Sequence, residues 1–191
     1  GVHIADVSHY VVSQKAIDRE AYKRGTSVYL VDRVIPMLPE VLSNGICSLN
    51  AGEDRYAMTC MMEIDAHGKV VNYRIQPSII HVNRRCSYKE IYKALTEDII
   101  PDDLAPLMPM IHNLSDIAKT LNDMRRRRGA LDFDFPEYKV LLDTEGTPLR
   151  IVRRDRTLAE RLIEECMLIA NETVATHLKN TNRTSVYRIH E

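Results

Sequence analysis

Hydrophobic and polar residues repeat along the chain with two different periods, which predict strands in some segments and helices in others. Residues Tyr56 to Ile64 and Val70 to Val82 are typical of long strands, and Asp65-Ala66-His67-Gly68 between them suits a tight turn. A period of three and four residues from Ile111 to Met124 is typical of an amphipathic helix. The pattern therefore predicts a hairpin of two long strands and, later in the chain, a long helix.

Two further helices are predicted from their first residues. Ser87-Tyr88-Lys89-Glu90 and Thr157-Leu158-Ala159-Glu160 both have the form of a capping box. In this motif the Ser or Thr side chain and the Glu side chain each accept a hydrogen bond from the other residue's backbone N–H. These helices are expected to extend to about Leu95 and Leu178.

The remaining pattern predicts an α+β fold, with a mostly antiparallel sheet and helices packed on it. A helix from Ser13 to Arg24 ends at Gly25, and a short helical turn covers Glu40 to Ser43. The other predicted strands are 2–5, 26–31, 131–135, 138–142 and 149–152. No repeat or linker interrupts residues 1–191, so we interpret them as one domain. Because the pattern begins and ends inside strands, with residues 185–191 as the last, we expect a fragment of a larger domain.

Composition and charge exclude few classes of protein. The chain is 45% hydrophobic and 28% charged, and it contains 26 Lys and Arg residues and 27 Asp and Glu residues. This balance argues weakly against a protein that wraps a nucleic-acid duplex, but it permits RNA binding in a channel with a local basic lining. Four widely spaced cysteines without a CxxC pair favour reduced thiols in a cytoplasmic protein. No apolar run is long enough to span a membrane.

Residue spacing alone does not reveal an active site. Metal-assisted hydrolysis needs several carboxylates around a cation, and the tight acidic pairs here lack a third member. Asp132 and Asp134 are the best candidates for a metal, and a solvated strand face is the alternative. We expect no metal ligands and no catalytic residues among residues 1–191.

Several sequence blocks resemble the catalytic RNB domain of the ribonuclease II/ribonuclease R family. The blocks occur in family order and span the whole chain. They are Gly1-Val2-His3-Ile4-Ala5-Asp6-Val7-Ser8-His9-Tyr10, Arg24-Gly25-Thr26-Ser27-Val28-Tyr29, Ile35-Pro36-Met37-Leu38-Pro39-Glu40, Arg127-Arg128-Gly129-Ala130-Leu131-Asp132-Phe133, Ile163-Glu164-Glu165 and Tyr187-Arg188-x-His190-Glu191.

The resemblance implies part of a 3′→5′ exoribonuclease that degrades single-stranded RNA to 5′ mononucleotides and uses Mg²⁺ when complete. In that family the aspartates that hold the metal precede the segment that matches Gly1, and a catalytic arginine follows the segment that matches Glu191. We therefore expect this chain alone to be inactive and to need no obligate protein partner. A non-catalytic RNA-binding relative is the alternative. A structural module that never meets RNA is a third possibility, and it requires Tyr29 and Phe133 to be buried.

Four residues match positions that contact RNA in the family. Tyr29 and Phe133 resemble an aromatic clamp that stacks on bases, although aromatic residues on strands are more often core residues. Tyr88 and Glu164 resemble a pair that engages ribose hydroxyls and favours RNA over DNA. The neighbouring Glu165 leaves open which of the two glutamates faces the RNA.

The run from Arg125 to Arg128 has two interpretations. Its cations could neutralise phosphates along an RNA path. Its place at a predicted helix end favours a structural role, because cations there interact with the exposed carbonyl groups.

Overall fold

Helices and strands follow one another in mixed order along the chain. The computed structural model describes residues 1–131, 136–154 and 156–187. Its elements are β1 (Val2–Ala5), α1 (Val7–Tyr10), α2 (Ala16–Arg24), β2 (Val28–Tyr29), β3 (Val34–Ile35), a π-helical turn (Val41–Ile46), β4 (Asp54–Ile64), β5 (Val70–His81), α3 (Tyr88–Thr96), a 3₁₀ turn (Ala105–Leu107), α4 (Met108–Arg127), β6 (Glu137–Leu142), β7 (Pro148–Arg154) and α5 (Leu158–Asn180). The predicted α+β fold is confirmed.

The largest sheet has three antiparallel strands in the order β1-β4-β5. The predicted turn joins its two long strands. The Asp65 side chain accepts hydrogen bonds from the backbone N–H groups of Lys69 and His67, both at 2.9 Å. These bonds hold the pKa of the Asp65 carboxyl below its usual value. Gly68 has φ of 87°, which only glycine adopts at little cost.

Helix α5 contacts all three strands of this sheet on one side and α3 and α4 on the other sides. A cluster of buried residues, Ala94, Leu104, Met108 and Ile111, forms a core between α3 and the start of α4. The apolar stripe on α4 continues with the buried Ala118 and Leu121. The helices are thus held to the sheet mainly through α5.

Both capping boxes are present. Ser87 Oγ accepts from the Glu90 N–H at 3.3 Å, and Glu90 accepts in return from the Ser87 N–H at 3.4 Å. At the start of α5, the backbone N–H of Thr157 donates to Glu160 at 3.0 Å. At the end of α2, Gly25 has φ of 70° and stops the helix as predicted.

Some predicted bounds differ from the structure. Helix α2 begins at Ala16, three residues later than predicted, and the turn predicted at 40–43 is a π-helical turn that continues to Ile46. The predicted closing strand is wrong for its described part, because residues 185–187 form no strand. A strand needs a neighbour for its N–H and C=O groups, and none of the described strands pairs with these residues. Of the predicted strand 131–135, residues 132–135 lie outside the described residues.

The sheet is also more divided than the pattern suggested. Besides the three-stranded sheet, β2 pairs with β3 and β6 pairs with β7 as two separate antiparallel hairpins. Periodicity predicts that a strand exists, but its partner depends on contacts that are distant in sequence. The two hairpins approach one another, because residues of both, among them Val31 and Leu149, line a cavity of about 500 Å³.

Candidate functional site

Helix α5 lies along strand β4 and runs in the same direction. Met58 of β4 lines a cavity of about 110 Å³ together with Met167 and Asn171 of α5. Four residues further along β4, the sulfur of Met62 lies 3.3 Å from the hydroxyl of Thr173. A residue later on β4 thus contacts a residue later on α5.

Tyr88, the first residue of α3, lines a cavity of about 200 Å³ between α3, α4 and α5 together with Ile163. Glu164 follows Ile163 on α5 but does not line this cavity. We call this cavity and the adjoining surface of α5 around Glu164 the α5 cleft. Tyr88 and Glu164, two of the four predicted RNA-contacting residues, therefore lie on neighbouring elements, and none of the described contacts joins them.

An ion-pair network fixes the start of α3, where Tyr88 is the first residue. Arg84 donates to both carboxylate oxygens of Glu90, at 2.7 and 2.9 Å, and to both of Asp103, at 2.8 and 3.1 Å. The hydrogen bonds with Glu90 and Asp103 raise the pKa of Arg84 and lower the pKa of each of the two carboxyls. The network joins the capping box of α3 to the turn before Leu104. It therefore fixes the position of the first turn of α3, which carries Tyr88.

The two adjacent glutamates of α5 have opposite environments. Glu165 is buried, and its Oε1 accepts from Asn122 Nδ2 at 3.0 Å and lies 3.2 Å from a guanidinium nitrogen of Arg125. Glu164 is half-buried and accepts from the guanidinium of Arg156. Successive helix residues are rotated by about 100°, so Glu165 points away from the sheet towards α4 while Glu164 stays at the sheet-facing side. The geometry leaves Glu164 as the candidate for contact with a ligand.

Tyr29 lies on the small β2–β3 hairpin, opposite Val34. Its side chain is exposed, at 79% of the full value. This exposure contradicts the structural-module hypothesis as far as Tyr29 is concerned, since that hypothesis requires burial. Phe133, its predicted partner, lies outside the described residues.

The arginines at the end of α4 are engaged in contacts within the chain. Arg125 pairs with Glu165, and Arg128 forms a bidentate pair with Glu172 of α5. The second pair raises the pKa of Arg128. Arg127 donates to the backbone oxygen of His67 at 3.4 Å. These contacts support the structural interpretation of the run for Arg125, Arg127 and Arg128.

An aromatic cluster of His9, Tyr10 and Tyr56 was not predicted from the sequence. The rings of His9 and Tyr56 are stacked, with centroids 4.1 Å apart and planes at 29°. Tyr10 packs edge-on against His9, with centroids 4.9 Å apart. Strand pairing between β1 and β4 brings these residues together, and no local pattern indicates such a contact.

Comparisons with known proteins identify the family. The model of the RNB domain family matches residues 1–191. The chain belongs to this family. It is 50% identical to ribonuclease R of Thermotoga maritima and 48% identical to ribonuclease R 1 of Lactococcus lactis, over the whole of this chain. It covers 27% and 24% of those relatives, so it spans about a quarter of their length.

Solved structures of other proteins share the fold of this chain. Mycoplasma genitalium ribonuclease R in complex with ribose-methylated single-stranded RNA is 33% identical and superposes with a TM-score of 0.94, over 99% of this chain and 30% of that one. Yeast Ssd1, described as a pseudonuclease, is 18% identical with a TM-score of 0.69, over 93% and 21% of the chains. The second likeness concerns the fold alone.

The described residues of this RNB chain do not fit a Mg²⁺ site. Within residues 1–131, 136–154 and 156–187, no group of three or more His, Cys, Asp or Glu side chains converges. Mg²⁺ requires close to octahedral coordination by oxygen atoms, which these residues do not offer. Asp132 and Asp134, the candidates from the sequence, lie outside the described residues.

In the described part of the chain, no helix has the length and apolar character to cross a membrane.

The difference between the two glutamates gives a test of the geometry. Glu165→Ala should lower the free energy of unfolding by about 3 kcal/mol, because it leaves the largely buried Arg125 without its partner. Glu164→Ala, the matched control one residue away, should cost less than about 1 kcal/mol, because its ion pair is partly exposed. Urea unfolding of both variants measures the difference. Equal losses would show that the assigned rotation of α5 is wrong.

Proposed function

We propose that the protein to which this RNB domain belongs is a 3′→5′ exoribonuclease that hydrolyses single-stranded RNA to 5′ mononucleotides. The family match over all 191 residues, with ribonuclease R relatives at 48% and 50% identity, supports the proposal most directly. A related ribonuclease R binds single-stranded RNA in a structure that superposes closely on this chain. We place this activity in the cytoplasm, which suits the free thiols of its four cysteines.

The proposal divides the work between this chain and the rest of the protein. Hydrolysis would use Mg²⁺ held by carboxylates other than those in the described residues, which do not form such a site. This chain would hold the RNA. None of its residues is assigned a catalytic role.

In the α5 cleft, Tyr88 and Glu164 are proposed to contact the ribose. The 2′-hydroxyl both donates and accepts a hydrogen bond, so a carboxylate and a phenol are suitable partners. Arg156 already pairs with Glu164, so the carboxylate is held in one orientation in a partly buried place. DNA lacks the hydroxyl and would leave the carboxylate without that donor.

Tyr29 and Phe133 are proposed as the aromatic clamp on the bases. The exposed ring of Tyr29 offers a face on which any base can stack, which suits a nuclease without sequence preference. The proposal for Phe133 rests on the resemblance alone.

A non-catalytic RNA-binding relative remains the second candidate function. The fold does not decide between the two, because a protein described as a pseudonuclease shares it. The two candidates differ in one observable, the release of nucleotides.

The first prediction separates these candidates. Full-length protein with Mg²⁺ should shorten 5′-labelled single-stranded RNA stepwise from its 3′ end. The 191-residue chain alone should release nothing, because its residues 1–131, 136–154 and 156–187 form no metal site. Gel analysis of products at successive times measures both. Metal-dependent cleavage by the isolated chain would contradict the proposal that the metal ligands lie elsewhere in the full-length protein. Full-length protein that binds RNA without cleaving it would favour the non-catalytic candidate.

The second prediction concerns the clamp. In the full-length enzyme, Tyr29→Ala and Phe133→Ala should change the length of the final product more than the cleavage rate, because each loses about 1–3 kcal/mol of stacking and no chemical group. The end products of poly(A) degradation measure this length. Tyr22→Ala on α2 removes another largely exposed tyrosine as a control. Unchanged products for both clamp variants would exclude the assignment.

The third prediction concerns the sugar. Glu164→Ala should make the cleavage rates on RNA and DNA more similar. It removes both the contact to the 2′-hydroxyl and the cost of leaving the carboxylate without this second donor when DNA is bound. Adding Tyr88→Phe should extend the effect. Rates on RNA and DNA oligomers of one sequence measure it, with Glu97→Ala at the far end of α3 as control. If RNA cleavage falls while DNA stays inert, Tyr88 and Glu164 have a structural role only.

A further inference from the structure

Two exposed cations lie next to residues that line the α5 cleft. Arg85 directly precedes Cys86, and Lys89 directly follows Tyr88. Cys86 and Tyr88 both line the cavity of the cleft, so each cation is covalently linked to a residue of its wall. Both cations are exposed, and neither forms a hydrogen bond or an ion pair within residues 1–131, 136–154 and 156–187.

Two other arginines beside the cleft are already paired with carboxylates. Arg84 donates to both carboxylate oxygens of Glu90 and to both of Asp103. Arg156 donates to Glu164. A guanidinium held in this way has few free donors, and its charge is balanced by its partners, so it attracts a phosphate only weakly. RNA at the cleft carries a phosphate on each side of every ribose, and these phosphates need other cations.

The ion pair of Arg84 with Glu90 also determines where the two free cations lie. It joins the residues at the two ends of the segment 85–89, and the capping box between Ser87 and Glu90 closes the same segment. The free cations therefore project from one compact loop at the start of α3. Glu90 is the only acidic residue in the sequence 83–93, so a phosphate at this loop meets no unpaired carboxylate of the segment.

The order of these residues suits the RNA backbone around one ribose. Tyr88 is proposed to contact that ribose, and the two free cations flank Tyr88 in the chain. Guanidinium and ammonium groups both form charge-assisted hydrogen bonds with phosphate oxygens. Contacts of this kind fix the register of a strand and carry no sequence information, as a nuclease without sequence preference requires.

We propose that Arg85 and Lys89 are phosphate-binding residues, which hold the RNA backbone on the two sides of the ribose at Tyr88 and Glu164. Arg84 is a positioning residue, which holds the loop in place and does not contact RNA. The inference deepens the proposed function and rests on it, because it needs RNA in the α5 cleft. Phosphate contacts would contribute affinity that RNA and DNA share, in contrast to the ribose contacts.

The salt dependence of RNA binding tests the phosphate contacts in the full-length protein. Fluorescence anisotropy gives the association constant of a labelled single-stranded oligomer at several salt concentrations, in EDTA to prevent hydrolysis. The slope of its logarithm against the logarithm of the salt concentration should become shallower by about 0.7 in Arg85→Gln and in Lys89→Gln, because each loses one phosphate contact. The double variant should lose about 1.4. Arg85→Lys keeps the charge and should keep the slope, and a DNA oligomer should show the same changes.

Two control variants separate phosphate binding from effects on net charge and on the fold. Lys119→Gln removes an exposed lysine in the middle of α4 and should leave the salt slope unchanged. Arg84→Gln leaves two carboxylates unpaired and should lower the melting temperature. Arg85→Gln and Lys89→Gln should leave it unchanged, because neither residue has a partner in the described part of the chain.

Neutral methylphosphonate linkages locate the contacts along the RNA. In the wild type, a neutral linkage at a contacted phosphate should weaken binding, and in Arg85→Gln or Lys89→Gln the same linkage should have no further effect. Unchanged salt slopes in both variants, or an equal change in Lys119→Gln, would overturn this inference and leave the proposed function intact. If the wild-type protein binds no RNA, the proposed function fails and this inference fails with it.

Discussion

The rotation of helix α5 about its axis is the constraint on which the arrangement of the candidate site depends. Its residues Met167 and Asn171 line one cavity with Met58 of β4, and its opposite side places Glu165 against Asn122 and Arg125 of α4. A helix fixed on two sides cannot turn without leaving a buried carboxylate unpaired, which costs several kcal/mol. The place of Glu164 at the cleft therefore follows from the packing of its neighbours.

Arginines near the candidate site form ion pairs with carboxylates of the same chain. Arg84, Arg125 and Arg156 each hold a carboxylate beside the site, and two of these carboxylates belong to α5. This use explains why a nearly neutral composition is compatible with RNA binding. The net charge counts groups that neutralise one another in the fold, so it carries little information about the cleft.

Local signals in the sequence predicted the local structure well. The capping boxes at Ser87 and Thr157, the turn at Asp65 and the stop at Gly25 depend on residues a few positions apart, and all four are present. Such features are decided by short-range hydrogen bonds and backbone preference, which a sequence displays directly.

The candidate site could be predicted only in part, because it is assembled from distant segments. The family resemblance drew attention to Tyr88 and Glu164, but it could not choose between Glu164 and Glu165, which differ only in their direction on α5. The stacking of His9 on Tyr56 depends on the register between β1 and β4, which joins residues about fifty positions apart. The hydrophobic pattern predicts where strands occur but not which strands pair. It therefore could not predict that the described strands form three separate sheets.

The chemistry of the cleft implies a division between affinity and selectivity. Stacking on Tyr29, as proposed, would gain about the same free energy from RNA and from DNA, because both present the same base faces. Discrimination must then come from a contact that one sugar makes and the other does not. Only a group already oriented and partly removed from water imposes a real cost when its partner is missing. Glu164, half-buried and held by Arg156, meets this condition, whereas an exposed carboxylate would find water instead.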